Sequence, residues 1–199
     1  MASPFVTELE KRIQIRRDQS VRIDGPEAAA VMVLFDERSD DHYLILTVRS
    51  NKVRLHKGEI SFPGGRPEAV DSNLSETALR ETWEEIGVRT KDVKILGELN
   101  PVLTRTDFVV TPYVGLISHP YTFRINEQEV EQILEVPLSC LLDPLNTRHE
   151  IKMDNSGMLN RRHAYAYGQH LIFGATAWIM TQFLDAVRSV NGSWAKSEN

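Results

Sequence analysis

Phe5, Leu9 and Ile13 recur at every fourth position of a charged N-terminal stretch, which predicts an amphipathic helix over residues 4–17. Two apolar, β-friendly runs follow, AAAVMVLF (28–35) and YLILTVRS (43–50), separated by the polar cluster DERSDDH. Run, polar turn and run together predict a hairpin. SFPGG (61–65) breaks the pattern with a proline and two glycines, and a helix is then expected from about residue 73 to 86. Asn73 and Glu76 fit a capping box, and Gly87 fits a left-handed stop. VKILGEL (93–99) and FVVTPYVGLI (108–117) read as strands, and EQILEVPLSCLL (131–142) as a strand running into a short helix at Pro137. EIKM (150–153) and AYAYG (164–168) suggest a last hairpin, and GATAWIMTQFLDAV (174–187) a closing helix. No repeat, low-complexity tract or long linker interrupts this order. The chain is therefore read as one α/β domain over residues 1–199, with loose tails at about 1–3 and 191–199.

A length of 199 residues allows a substantial core, and 41% hydrophobic with 26% charged residues is ordinary for a globular protein. The formal charge of −5 argues against nucleic acid or an anionic membrane as main partner. An anionic substrate would then need a local basic cluster or bound cations. A lone cysteine, Cys140, excludes an internal disulfide and a multi-cysteine zinc site, and it reads as a small core residue. The N-terminus lacks the apolar segment of a secretory signal, and Glu8, Glu10 and Asp18 argue against a mitochondrial presequence. No apolar run approaches the roughly 18 residues of a membrane span. A cytoplasmic location is the expectation.

RETWEEIGV (80–88) sets three glutamates close together on the predicted helix. At about 100° per residue, Glu81, Glu84 and Glu85 share an arc of about 100°. Leu79, Thr82, Trp83 and Ile86 fall opposite and are expected to face the core. A solvated acidic face is one explanation, but like charges one turn apart repel when no lysine is interleaved. A hard divalent cation would reverse that sign, because Mg²⁺ takes carboxylate oxygens and keeps waters for substrate phosphates.

Gly64 and Gly65, Asp71, and the run from Arg80 to Val88 resemble the Nudix box, which ends in R-E-U-x-E-E-x-G-U with U a bulky aliphatic. The resemblance implies an α/β/α sandwich with a mixed sheet and a loop–helix–loop that holds catalytic divalent metals. By position, Glu81, Glu84 and Glu85 would be metal ligands, Arg80 would brace the Glu81 carboxylate, and Gly65 would open the loop. Asp71 stands where the family usually has glutamate, one extra residue separates it from Arg80, and Thr82 takes an aliphatic position. These departures touch the loop and a core-facing site, so the ligand set survives them.

ILTVRSNKVRLHKGEISFPGG (45–65) is similar to the signature of the coenzyme A pyrophosphatase branch, with Thr47, Arg49, Ser50, Arg54, Gly58, Phe62, Pro63, Gly64 and Gly65 in register. That branch implies hydrolysis of coenzyme A, or a derivative, to 3′,5′-ADP and 4′-phosphopantetheine with Mg²⁺ or Mn²⁺. Arg49, Arg54, His56 and Lys57 form a basic cluster in an acidic chain, suited to phosphate, although Arg54 and Lys57 could be ordinary surface charges. Arg49, Arg54, Lys57, Phe62, Gly64 and Gly65 are taken as the substrate-binding set. His56, His163 and His170 are read as structural or orienting residues. Glutamate-held cations would neutralise the pyrophosphate and acidify a bound water, with Glu81 or Glu84 as base. Glu129 and Glu131 are candidates for a further acid, and Glu129 is placed in the metal set. Two alternatives stay open: a Nudix pyrophosphatase for NADH, ADP-ribose or nucleoside triphosphates, and a non-catalytic nucleotide- or protein-binding module.

Overall fold

A computed structural model describes residues 3–15, 27–52, 57–153 and 159–194. Helix α1 (Pro4–Ile15) precedes the hairpin β1 (Glu27–Glu37) and β2 (His42–Arg49). Short strands β3 (Ile60–Ser61) and β4 (Gly64–Gly65) lead to helix α2 (Leu74–Ile86). Then come β5 (Lys94–Glu98), β6 (Val102–Leu103), β7 (Phe108–Ile117), β8 (Val130–Pro137) and the short α3 (Leu138–Leu142). A three-stranded sheet of β9 (Thr147–Met153), β10 (Leu159–Tyr167) and β11 (His170–Ile172) follows, and α4 (Gly174–Trp194) closes the chain. The expected order of elements is therefore observed. Helix α4 continues past residue 187 to Trp194, so the expected loose tail is partly helix, while residues 195–199 lie outside the described residues.

The main sheet is mixed, with β3-β2-β1-β7-β5 as its path. Strands β1 and β7 are parallel and the other pairs are antiparallel. Both faces of β1 are covered, which explains its continuous apolar run. Ala29, Val33 and Phe35 point to one side with α1 and α4, where Leu9, Ile13, Met180 and Phe183 meet them. Ala30, Met32 and Leu34 point to the other, against Ala78, Leu79 and Ile86 of α2. The result is an α/β/α sandwich.

One irregularity positions the site. Strands β1 and β2 pair only from Leu34/Ile45 to Glu37/His42, then diverge. The segment 60–65 enters the opening: Thr47 pairs with Ser61, while Val31 pairs with Gly64. The Met32 N–H donates to the Pro63 carbonyl at 2.8 Å. A side chain at Gly64 would place its Cβ 2.3 Å from the Ala30 carbonyl oxygen, so this approach needs glycine.

Among the described residues, no helix is long and apolar enough to cross a membrane. Cys140 is half-buried, takes a contact from the Asn146 side chain at 3.3 Å, and has its thiol pushed up by burial, so it is not an activated nucleophile. Fully buried Phe35 lies 5.6 Å from Phe183, ring to ring, at the sheet–α4 contact. Phe35→Ala is expected to cost about 3–5 kcal/mol, measured as a lower denaturant midpoint with an unchanged slope.

Candidate active site

Asn73 caps α2, its Oδ1 accepting from the N–H groups of Ser75 and Glu76 at 3.0 and 3.1 Å. Glu76 reaches back to the N–H of Ser72 at 2.8 Å, so the capping box is displaced by one residue from its expected form. A cap of this type stabilises by about 1 kcal/mol. At the other end Gly87 takes φ 73° and returns its N–H to the Trp83 carbonyl.

Leu79, Thr82 and Ile86 face the sheet as the periodicity predicts. The Thr82 hydroxyl is satisfied by donating to the Ala78 carbonyl at 2.6 Å, which is how a polar residue fills an aliphatic position. Trp83 does not join them: it is 47% exposed. It stands about 100° round the helix from Thr82, beyond the strip that the sheet covers. Glu85 departs the other way, being only 3% exposed although the acidic arc suggested solvent.

Arg80 answers the crowding of the glutamates. Its Nη1 donates to Glu81 Oε1 at 3.0 Å and to Glu84 Oε2 at 2.9 Å. Its Nε and Nη2 donate to Asp71 at 3.0 Å each, and Nη2 also reaches the Arg66 carbonyl. The bracing role expected for Arg80 is thus wider than Glu81 alone. Asp71 had no role beyond its place in the box. It takes the Arg80 fork, the Thr77 hydroxyl and the Glu68 N–H, and these hold its carboxyl down at about 2. A reciprocal bond from the Asp71 N–H to the Glu68 carbonyl closes the turn that leads into Asp71.

Glu85 lies behind this fork, out of its reach. Burial is the main cause that pushes its carboxyl up to about 8; the negative charges of Glu81 and Glu129 add to it, and Arg49 and the Gly64 N–H oppose it. Among the described residues, its Oε2 is buried without a hydrogen-bond partner, as is Nε of Arg49. A buried carboxylate oxygen with no donor is an anomaly in a closed site and is the donor a cation takes. Burial also raises Glu81, against the pull of Arg80. Gly65 packs directly on it, since a Cβ there would lie 2.3 Å from Glu81 Oε1. Glycine at 65 is what lets the loop lie against the carboxylate.

Glu129 joins this group electrostatically, acting on both Glu81 and Glu85. It is positioned by the 126–130 turn: the Asn126 N–H donates to the Glu85 carbonyl, and the Ser50 N–H to the Glu129 carbonyl. Glu131 is exposed and accepts from Asn51 at 3.0 Å. Among the described residues no three acidic, histidine or cysteine side chains form a ready-made cage. Arg80 holds Glu81 Oε1 and Glu84 Oε2 alike, so a cation taking these carboxylates with Glu85 and Glu129 would share them with the arginine.

The remaining substrate candidates divide. Arg49 borders the buried acids, Lys57 is exposed, and Arg54 and His56 lie outside the described residues. Phe62 is 2% exposed within the larger core cluster. Its ring packs with the core on that side of the sheet.

Two outcomes follow from this geometry. Gly65→Ala is expected to keep the fold, by far-UV circular dichroism, but to weaken Mn²⁺ binding by about tenfold or more in calorimetry, because Glu81 must move. The raised Glu85 carboxyl has a defined sign. Its ordinary value of 4.5 applies in the unfolded chain, so the stability it contributes is full below pH 4.5 and is lost as pH climbs through about 8. Glu85→Gln should therefore raise the melting temperature of the metal-free protein relative to wild type at pH 8, with little gain at pH 4.5.

A NUDIX domain model matches residues 25–153, more than half of the chain. An uncharacterized Nudix hydrolase, NudL, of Photorhabdus laumondii is 39% identical over 145 residues, covering 73% of this chain and 77% of its own. The NudL of Yersinia enterocolitica is 33% identical over 182 residues, covering 92% and 93%. The fold is similar to that of a MutT/nudix family protein from Enterococcus faecalis, with TM-score 0.56 and 14% identity over 95% of this chain and 76% of that one. It also resembles the MutT protein of Methanosarcina mazei, with TM-score 0.51 and 18% identity over 86% and 97%. With the glutamate helix, its arginine fork and the mixed sheet already in place, these similarities lead to one conclusion: the chain belongs to the Nudix hydrolase family.

Proposed function

We propose that this chain is a single-domain, cytoplasmic pyrophosphohydrolase, dependent on Mg²⁺ or Mn²⁺, that cleaves coenzyme A or a derivative to 3′,5′-ADP and 4′-phosphopantetheine. The observation that carries the hydrolytic reading is the unpartnered, buried Oε2 of Glu85 among Glu81, Glu129 and Arg80-held Glu84. Glu81, Glu84, Glu85 and Glu129 would hold the cation. When bound, it neutralises pyrophosphate charge and acidifies a coordinated water.

The side chains divide the remaining work. Arg80 keeps Glu81 and Glu84 in fixed rotamers, which removes part of the ordering cost from the reaction. Glu84 is 47% exposed, so it can accept a proton at its free edge and pass it to solvent. Glu81 is the other candidate base, its carboxyl raised by burial into a better range for accepting a proton. Arg49 stands at the inner wall, where its guanidinium can meet a phosphate oxygen. Coenzyme A as the substrate rests on the 45–65 segment, whose Phe62-Pro63-Gly64-Gly65 end threads the opened hairpin and delivers Gly65 to Glu81.

The test is a hydrolysis panel of coenzyme A, acetyl coenzyme A, NADH, ADP-ribose and dATP with Mg²⁺ or Mn²⁺. Coenzyme A or its acyl form should be turned over best, with 4′-phosphopantetheine as product, and Glu84→Gln should lower kcat by about 10²-fold or more. Preferential turnover of ADP-ribose or NADH would reject the substrate while keeping the metal helix. No turnover of any member would reject the enzyme.

A further inference from the structure

A cavity of about 510 Å³ opens at the C-terminal end of α2, walled by Trp83, Gly87, Arg89, Tyr121 and Arg124. Its size falls within the range of small-molecule sites. Two aromatic side chains and two cations share it, and they are not equivalent. Arg89 is spent on Asp92 at 2.7 Å, and the same Asp92 oxygen accepts from the Tyr121 hydroxyl. Arg124 is exposed and makes no ion pair among the described residues. Among the described residues, the cavity therefore offers one unpaired guanidinium, one exposed indole and a tyrosine held in place.

Its position ties it to the glutamates. Gly87 lies three residues after Glu84 and is its neighbour on the helix surface, while Trp83, the residue before Glu84, stands about 100° round the helix from it. The segment forming the far wall is locked onto the same turn: the Arg124 N–H donates to the Ile86 carbonyl and the Asn126 N–H to the Glu85 carbonyl, each at 2.9 Å. Three residues further on, that segment supplies Glu129. The fit is close, because a Cβ at Gly87 would lie 2.7 Å from the Arg124 Cβ. The cavity and the acidic locus thus share the last turn of α2 and the 124–129 segment packed on it.

We propose that the cavity is the nucleotide-end subsite of the substrate: a purine stacks on the Trp83 indole, and a phosphomonoester on the same nucleoside pairs with Arg124. The assignment rests on the pyrophosphate-hydrolase reading above, and it adds a determinant of which nucleotide is chosen. An indole suits any purine face, whereas a free guanidinium selects for an extra phosphate through a bidentate contact. The preference is therefore for substrates carrying a phosphate beyond the scissile pyrophosphate.

The decisive comparison is kcat/KM for coenzyme A against dephospho-coenzyme A, which lacks only that phosphomonoester, in wild type, Arg124→Ala, Arg124→Lys and Trp83→Ala. Arg124→Ala should lower the ratio by about tenfold, through KM, with partial recovery in Arg124→Lys. Trp83→Ala should raise KM for both substrates by a similar factor and leave their ratio unchanged. Calorimetric titration of the metal-free protein with 3′,5′-ADP reads the subsite without hydrolysis. Binding lost in both alanine variants would sustain the subsite even if coenzyme A were not turned over. Unchanged ratios in the kinetics, or 3′,5′-ADP binding equally to all variants, would overturn it while leaving the hydrolase reading intact.

Discussion

Arg80 sets its guanidinium between Asp71, Glu81 and Glu84, and that fork allows Glu81 and Glu84 to stand one turn apart on the helix. The planar group meets acids on two sides at once, which a lysine ammonium on a flexible stem would not do with the same direction. Asp71 matters as much as the glutamates here. Without it the fork would have no fixed end, and the Thr77 hydroxyl would lose its acceptor. Glu85 is beyond the reach of the fork and resolves its own burial differently, by holding a proton. One helix thus shows two solutions to like-charge crowding, an ion-pair brace at the surface and protonation inside.

The brace works only because the backbone in front of it is placed by the sheet. Strands β1 and β2 separate after four paired residues each, and the 60–65 segment fills the opening. Gly64 meets β1 backbone to backbone, and Gly65 then lies against Glu81 with no room for a side chain. The hydrophobic sandwich therefore sets the position of a carboxylate through two glycines. Packing energy from both apolar faces of β1 is what holds this polar loop in place.

The elements were legible because each carries a local signal. Apolar runs mark β1, β2 and β7, Asn73 and Gly87 mark the ends of α2, and Pro137 marks the join of β8 to α3. Helical periodicity also identified Leu79, Thr82 and Ile86 as inward. It could not locate Trp83, because periodicity gives the direction of a residue but not where the opposing sheet ends. The burial of Glu85 was equally hidden, since it depends on backbone brought from residues 64 and 126. The Asp71–Arg80 pair joins a loop to a helix across an irregular turn, beyond any i,i+4 rule. Phe62 shows a different limit. It belongs to a recognisable run, and membership of a run does not separate a packing residue from a binding one.

Charge balance gives the most general reason why this site requires a cation. Around the locus stand Asp71, Glu81, Glu84, Glu85 and Glu129, against Arg80 and Arg49. Arg80 is fully engaged by its acids, and Arg49 is partly offset by Glu85. Protonating Glu85 leaves an excess of negative charge that repels a pyrophosphate. The whole chain, at −5, provides no compensating field. A divalent ion held there would reverse the local sign and compete with the Glu85 proton, so the burial that makes Glu85 costly to ionise also makes the site receptive to metal. The crowded glutamates are tolerable without a cation because of Arg80, and they become useful only with one.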